Sequence, residues 1–135
     1  LFEQGLPVPR PVAGCVTRYG LTYEAALITV RIAGAKALAE LLVNDQADEA
    51  LLHRVGVMIR RFHQAGLDHV DLNARNILVD TSGAPWLIDL DRCRLREAGK
   101  WQEGNLARLE RSFGKFLVKS NSVKLMDHIL QGYRY

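Results

Sequence analysis

The chain has 135 residues, 48% hydrophobic and 24% charged, enough for one soluble-type domain with a sizeable core. Its 18 Lys and Arg against 15 Asp and Glu leave a net charge of +3, which by itself does not argue for nucleic acid. No apolar run approaches the roughly 20 residues needed to span a bilayer, and the start, LFEQGLPVPRP, lacks the basic-then-apolar pattern of a signal peptide.

The absence of an initiator Met leads to the expectation that the chain begins partway through a gene product. Cys15 and Cys93 lack metal or redox spacing, which fits a reduced, cytoplasmic setting. Gly5 to Pro11 holds three prolines and reads as an extended connector. Val12 to Arg18 and Tyr23 to Ile32 predict two strands around a turn at Gly20. The second has the β-branched content of a buried strand. Lys36 to Val43 predicts a short helix, with Asn44 or Asp45 capping a second over Gln46 to Ala65. In that second helix Leu51, Leu52, Val55, Met58, Ile59 and Phe62 form one buried stripe, with Arg54, Arg60 and Arg61 off it. Gly66 is a suitable terminator, since glycine tolerates a left-handed backbone.

The stretch HVDLNARNILVDTSGAPWLIDLD, His69 to Asp91, carries the chemistry. Two short apolar runs, Ile77 to Val79 and Trp86 to Ile88, read as buried strands around a turn at Ser82-Gly83. They flank polar groups at loop positions. Asp71 stands five residues before Asn76, and Asp89 follows the second run. Carboxylate and amide oxygens suit Mg²⁺, a hard cation that shares its ligands with substrate phosphates. A carboxylate off the metal can accept a proton from an attacking hydroxyl. This order resembles the protein-kinase template: His-x-Asp, four residues, Asn, a strand, a turn, a strand, then Asp. An Asp-rich hairpin whose acids only make turns would account for Asp80, and not for the spacing of Asp71, Asn76 and Asp89.

Beyond Asp91, Arg92, Arg94, Arg96 and Lys100 are crowded together, either as a charged surface loop or as contacts to phosphates or an anionic acceptor. Gln102 to Val118 predicts a helix burying Leu106, Leu109, Phe113, Phe116 and Leu117. Asn121 or Ser122 is expected to cap a last helix burying Val123, Met126, Ile129, Leu130 and Tyr133. Arg108, Arg111, Lys115, Lys119 and Lys124 read mostly as solvated surface. They add a weak attraction to anionic lipid, up to about 1 kcal/mol each.

HVDLNARNILVD followed by WLIDLDRCRLR resembles the bacterial 3-deoxy-D-manno-octulosonic acid (Kdo) kinases of lipopolysaccharide core synthesis. The resemblance implies an α+β, protein-kinase-like fold, mostly the helical C-lobe (residues 35–135) with the last strands and hinge of the N-lobe (1–34). It implies ATP and Mg²⁺ as cofactors and the 4-hydroxyl of Kdo on a lipid A precursor as acceptor. It implies a cytoplasmic protein peripheral to the inner membrane, with no nucleic-acid partner. By position, Asp71 resembles the catalytic base, and Asn76 and Asp89 resemble metal ligands with Asp91 beside them. Asn73, Arg75 and Arg92 would contact phosphate or acceptor, and His69 would hold the loop by hydrogen bonds. Backbone near Arg31, Ile32, Ala33 and Gly34 would meet the adenine.

Departures from the protein-kinase pattern inform the acceptor. Val70 replaces the arginine that reads a phosphorylated activation loop. Asn73 replaces a lysine, and Arg75 is placed to supply that charge. The short segment after Asp89, with no Ala-Pro-Glu, favours a small-molecule or glycolipid acceptor over a peptide. No glycine-rich loop and no Val-Ala-x-Lys strand occur. The expectation is a C-terminal portion of a longer kinase, inactive in isolation. Two other readings stay open, another sugar or small-molecule kinase and a non-catalytic pseudokinase-like binding module.

Overall fold

A computed structural model describes residues 1–117 and 119–135, without the side chains of Lys119 and Ser120. The fold is α+β, four helices with three small sheets among the described residues. Strands β1 (Pro11–Tyr19) and β2 (Thr22–Thr29) form an antiparallel hairpin in which Cys15 faces Ala26. Gly20, at φ +62°, supplies the left-handed turn. The second strand was expected to be buried and to reach Ile32. It ends at Thr29, and every residue of both strands is exposed. Its β-branched residues suit the pleat of a two-stranded ribbon, a preference that does not require burial.

The proline-rich connector docks rather than floats. Leu6 and Val8 are buried, and the Leu87 N–H donates to the Pro7 carbonyl at 2.9 Å. Lys36 and Ala37, expected to begin a helix, form strand β3 (Lys36–Ala37) instead. Helix α1 (Leu38–Val43) follows without a side-chain cap. Asn44 closes α1, and Asp45 takes a left-handed turn at φ +54°. The cap of α2 (Glu49–Gln64) is therefore neither of those residues but Asp48, whose carboxylate accepts the Leu51 N–H at 2.7 Å. The apolar stripe of α2 is buried throughout, as its spacing requires. Gly66, at φ +79°, ends it, and a Cβ there would lie 2.6 Å from the Arg96 carbonyl oxygen.

Strand β4 (Leu67–Asp68) leads into the loop 69–76, then β5 (Ile77–Val79) and β6 (Pro85–Leu87). The three-stranded sheet runs β3-β5-β6, and β7 (Arg94–Leu95) pairs with β4. The β5–β6 turn is organised by Asp80, which accepts from the Ser82 hydroxyl, the Ser82 and Ala84 N–H groups and the Trp86 indole. These bonds, the Ser82 hydroxyl foremost, hold its carboxyl down at about 2.

Helix α3 (Trp101–Phe113) stops at Phe113, short of the expected Val118, which lies outside the described residues. Phe116 and Leu117 fall in turns after Gly114, their N–H groups bonded to the Phe113 carbonyl. Helix α4 (Lys119–Arg134) starts ahead of Asn121 and Ser122, so neither caps it, and Val123 is exposed rather than buried. Its seam is Ser122, Met126, Ile129 and Gly132. No helix among the described residues is long and apolar enough to cross a membrane.

Helices α2 and α4 pack closely at two glycines. A Cβ on Gly56 would run into the Ile129 carbonyl oxygen and lie 2.7 Å from the Tyr133 nitrogen, and one on Gly132 would run into the His53 carbonyl. Beside this crossing His63 is buried between Trp101 and Tyr133, its Nδ1 2.7 Å from the Tyr133 hydroxyl. Burial pulls its pKa to about 4, against a smaller raising effect of Asp68.

Both features make predictions. Gly56→Ala gains about 1 kcal/mol of helix propensity but overpacks backbone against backbone. A net loss of roughly 1–3 kcal/mol is expected by urea unfolding. For His63, the unfolded chain binds a proton between pH 6.5 and about 4 that the folded chain refuses. Stability is full above pH 6.5 and falls on acidification through that window, by on the order of 2 kcal/mol. His63→Gln should flatten the decline, read as melting temperature against pH.

Candidate active site

The loop 69–76 alternates buried anchors with exposed polar groups. Leu72 and Ala74 are buried, while Asp71 and Arg75 are exposed. Ala74 is held on both sides: its N–H donates to the Ser112 hydroxyl at 3.1 Å, and its carbonyl accepts the Ala39 N–H at 2.9 Å. Asn73 ties the turn from within. Its Oδ1 accepts the N–H groups of Arg75 (2.8 Å) and Asn76 (3.2 Å), and its Nδ2 donates to the Asp71 carbonyl at 3.0 Å.

Asn76 is the meeting point. Its Nδ2 donates to the Asp71 carbonyl at 3.0 Å and, more weakly, to Asp89 Oδ2 at 3.4 Å. Asp71, Asn76 and Asp89 thus converge, as their spacing suggests. His69 is 2% exposed, with Nε2 3.0 Å from the Ile88 carbonyl. A carbonyl only accepts, so Nε2 carries the proton. Its Nδ1 is buried without a partner. Asp89 has φ +62°, a conformation Asp tolerates better than most residues but at a cost.

Three clefts meet along this line. An apolar cleft of about 570 Å³ lies between the connector, the end of β2 and Leu78, with Asp89 at its edge. Arg31 and Ile32 line it, whereas Ala33 and Gly34 do not. A polar cleft of about 420 Å³ is lined by Val70, Asp71, Asp89, Asp91, Arg92 and Arg108. A third, of about 280 Å³, is lined by Asp71, Asn73, Arg75, Asn76, Ser112, Lys115 and Phe116. Asp89 borders the first and second clefts, and Asp71 the second and third.

The second cleft gathers Asp89 and Asp91, and Asn76 reaches Asp89 from beside it, an oxygen-rich donor set that suits a hard cation. No cluster of three or more His, Cys, Asp or Glu among the described residues forms a cage for a metal. Cys93, close by, has its thiol pushed up to about 11, by burial first and by Asp89 next, so it stays protonated and unreactive at neutral pH.

Other residues escaped the sequence reading. Arg96, read there as either charged surface or a contact to phosphate or acceptor, is engaged by the buried Asp68 at 2.9 Å, which also accepts from Asn105 at 3.2 Å. Ser112 was invisible as a loop anchor, its only signal being a polar residue amid an apolar helix face. Lys115 and Phe116, read as surface and core, line the third cleft.

This layout is consistent with a kinase-like protein. The model of the lipopolysaccharide kinase (Kdo/WaaP) family matches residues 1–133, and the chain belongs to that family. It is 52% identical over 134 residues to a 3-deoxy-D-manno-octulosonic acid kinase of Xylella fastidiosa strain 9a5c, covering 98% of this chain and 52% of the relative. Proteins of the same name from Vibrio parahaemolyticus and Vibrio cholerae are 43% and 39% identical over 119 residues, covering 88% of this chain and 50% and 51% of theirs. The chain spans about half the length of these curated relatives.

The backbone at Asp89 can be tested apart from any chemistry. Asp89→Gly relieves the left-handed strain and should leave stability unchanged or raise it by up to about 1 kcal/mol. The β-branched Asp89→Val should cost about 1–3 kcal/mol at the same position. Thermal unfolding of the two variants beside wild type checks the contrast.

Proposed function

We propose that the protein carries out ATP-dependent phosphorylation of Kdo in lipopolysaccharide core synthesis, at the 4-hydroxyl of a Kdo-bearing lipid A precursor. The family match and the relatives' names support the reaction class. One observation carries the assignment of the site: the Asn76 amide bonds both the Asp71 carbonyl and the Asp89 carboxylate. In this reading residues 1–34 are the remainder of the N-lobe with its hinge, and 35–135 form the C-lobe. The apolar cleft beside Arg31 and Ile32 takes the adenine.

Asp71 accepts the proton of the acceptor hydroxyl. As it does so, the hydroxyl oxygen bonds to the terminal phosphorus, and the phosphorus bond to the leaving ADP oxygen breaks. Asp89, Asp91 and Asn76 Oδ1 would hold Mg²⁺, which would supply neutralising charge to the phosphates. Both amide bonds of Asn76 use Nδ2, which leaves Oδ1 for the ion. Asn73 is occupied by its own turn, so the cationic contacts fall to Arg92 beside the phosphates and to Arg75 on the acceptor side. His69 holds the loop to Ile88 and moves no proton. The exposed basic residues fit a cytoplasmic protein at the inner-membrane surface, without a nucleic-acid partner.

The test is transfer of labelled phosphate from Mg-ATP to Kdo-bearing lipid A precursor by the full-length protein, beside Asp71→Asn. Loss of a general base should lower the rate about 10²–10⁴-fold with nucleotide binding kept. An unaffected variant removes Asp71 from the chemistry. An unlabelled lipid with nucleotide still bound points to another acceptor.

A further inference from the structure

The three clefts differ in charge as well as position. The second sets Asp71, Asp89 and Asp91 against Arg92 and Arg108, an acid excess that suits cation-bridged phosphates and repels a bare carboxylate. The third reverses the balance, with Asp71 alone against Arg75 and Lys115. It is the one of the two polar clefts that attracts an anion without a metal ion. Arg75 is also held in place there, its guanidinium carbon 5.2 Å from the centroid of the Phe116 ring. A cation over an aromatic face is attracted to it, and a guanidinium takes a planar carboxylate through paired N–H donors. The support beneath is firm, because the buried Ser112 hydroxyl ties Ala74 to the end of α3.

From this order we infer that Arg75 and Lys115 form the subsite for the acceptor's acid group, with Phe116 as a positioning residue. The inference rests on the function proposed above, in which the acceptor is an octulosonic acid whose carboxylate and hydroxyls share one sugar. With the carboxylate on Arg75 and Lys115, a hydroxyl of the same ring lies against Asp71, which forms the wall between the third cleft and the second. Transfer then runs in one line: nucleotide base in the apolar cleft, phosphates past Asp89, base Asp71, acid sugar beyond. The surface lysine and the apolar residue after α3 thereby become specificity determinants.

The experiment compares full-length wild type with Arg75→Gln, Lys115→Gln and the double variant, using a methyl glycoside of Kdo and its carboxyl-reduced analogue as acceptors. Arg75 and Lys115 are exposed, so these variants are expected to fold. The double variant should raise KM for the acid acceptor roughly 10–100-fold, with KM for ATP within about 2-fold of wild type. The reduced analogue should be used equally poorly by wild type and variant. Lys115→Arg should keep most of the affinity, and Phe116→Leu should raise acceptor KM by about 3–10-fold with kcat retained. Unchanged acceptor KM in the double variant overturns the subsite and leaves the proposed function standing. Parallel losses for ATP and acceptor also overturn it, and assign both cations to the nucleotide phosphates. A wild type that phosphorylates neither the glycoside nor Kdo-bearing lipid overturns the function and the subsite together.

Discussion

Both backbone polar groups of Ile88 are committed to the loop 69–76. Its N–H donates to the Asn76 carbonyl at 3.0 Å, and its carbonyl meets His69 Nε2 at 3.0 Å. The beginning and the end of the loop are thus tied to one residue, and the next residue is Asp89. The register that makes this possible is set by β5 and β6, where Ile77 pairs with Leu87. A shift of one residue would turn the buried Ile77 and Leu87 outward and carry Asp89 away from Asn76. Hydrophobic burial in two three-residue strands therefore controls a polar geometry. Leaving either group of Ile88 unpaired would cost about 1–3 kcal/mol, so the loop has little freedom to drift.

The parts legible in the sequence were those whose signal is local. The α2 stripe repeats every three to four residues, and burial follows that repeat from Leu51 to Phe62. Asp71, Asn76 and Asp89 were legible because a fixed loop and a short hairpin convert sequence spacing into distance. Boundaries were less so, since each is decided by a competing local bond. Asn44 was free to cap α2 only if it did not close α1, and its N–H is bonded to the Glu40 carbonyl. Lys36 and Ala37 carry helical composition, but the free edge of β5 recruits them as a strand. Long-range relations were not legible at all. Nothing in the order of residues says that Ser112 reaches Ala74, that Asp68 selects Arg96, or that Gly56 and Gly132 lie at one crossing. Those depend on how helices far apart in the chain are stacked.

Charge is distributed so that the acids of the site face solvent while the buried acid beside them is paired. Asp71, Asp89 and Asp91 are exposed, whereas the buried acid of the neighbourhood, Asp68, is ion-paired with Arg96 and accepts a hydrogen bond from Asn105. Burial of an unpaired carboxylate is costly, and the pairing at Asp68 meets that cost away from the clefts. Arg96 is withdrawn from the cationic cluster by this bond, which leaves Arg92 and Arg108 facing the acids of the second cleft. The same contact fixes β7 against β4, immediately before His69. One ion pair thereby sorts the cations and anchors the entrance to the loop.

Stability and reactivity are also separated along the chain. The well-packed elements, α2 against α4 and the loop anchors Leu72 and Ala74, contain none of the groups proposed to meet substrate. The two local penalties near the site both adjoin Ile88: the left-handed Asp89 follows it in the chain, and His69, with its unpartnered Nδ1, is bonded through Nε2 to its carbonyl. A penalty is tolerated where the surrounding structure over-determines the backbone, and Ile88 is held by two bonds. Turning Asp89 through a left-handed residue also ends the strand direction abruptly, so that its carboxylate faces Asn76 instead of continuing along β6. The strained backbone and the polar convergence are then one feature: the hairpin supplies the rigidity, and the turn at Asp89 directs the acid.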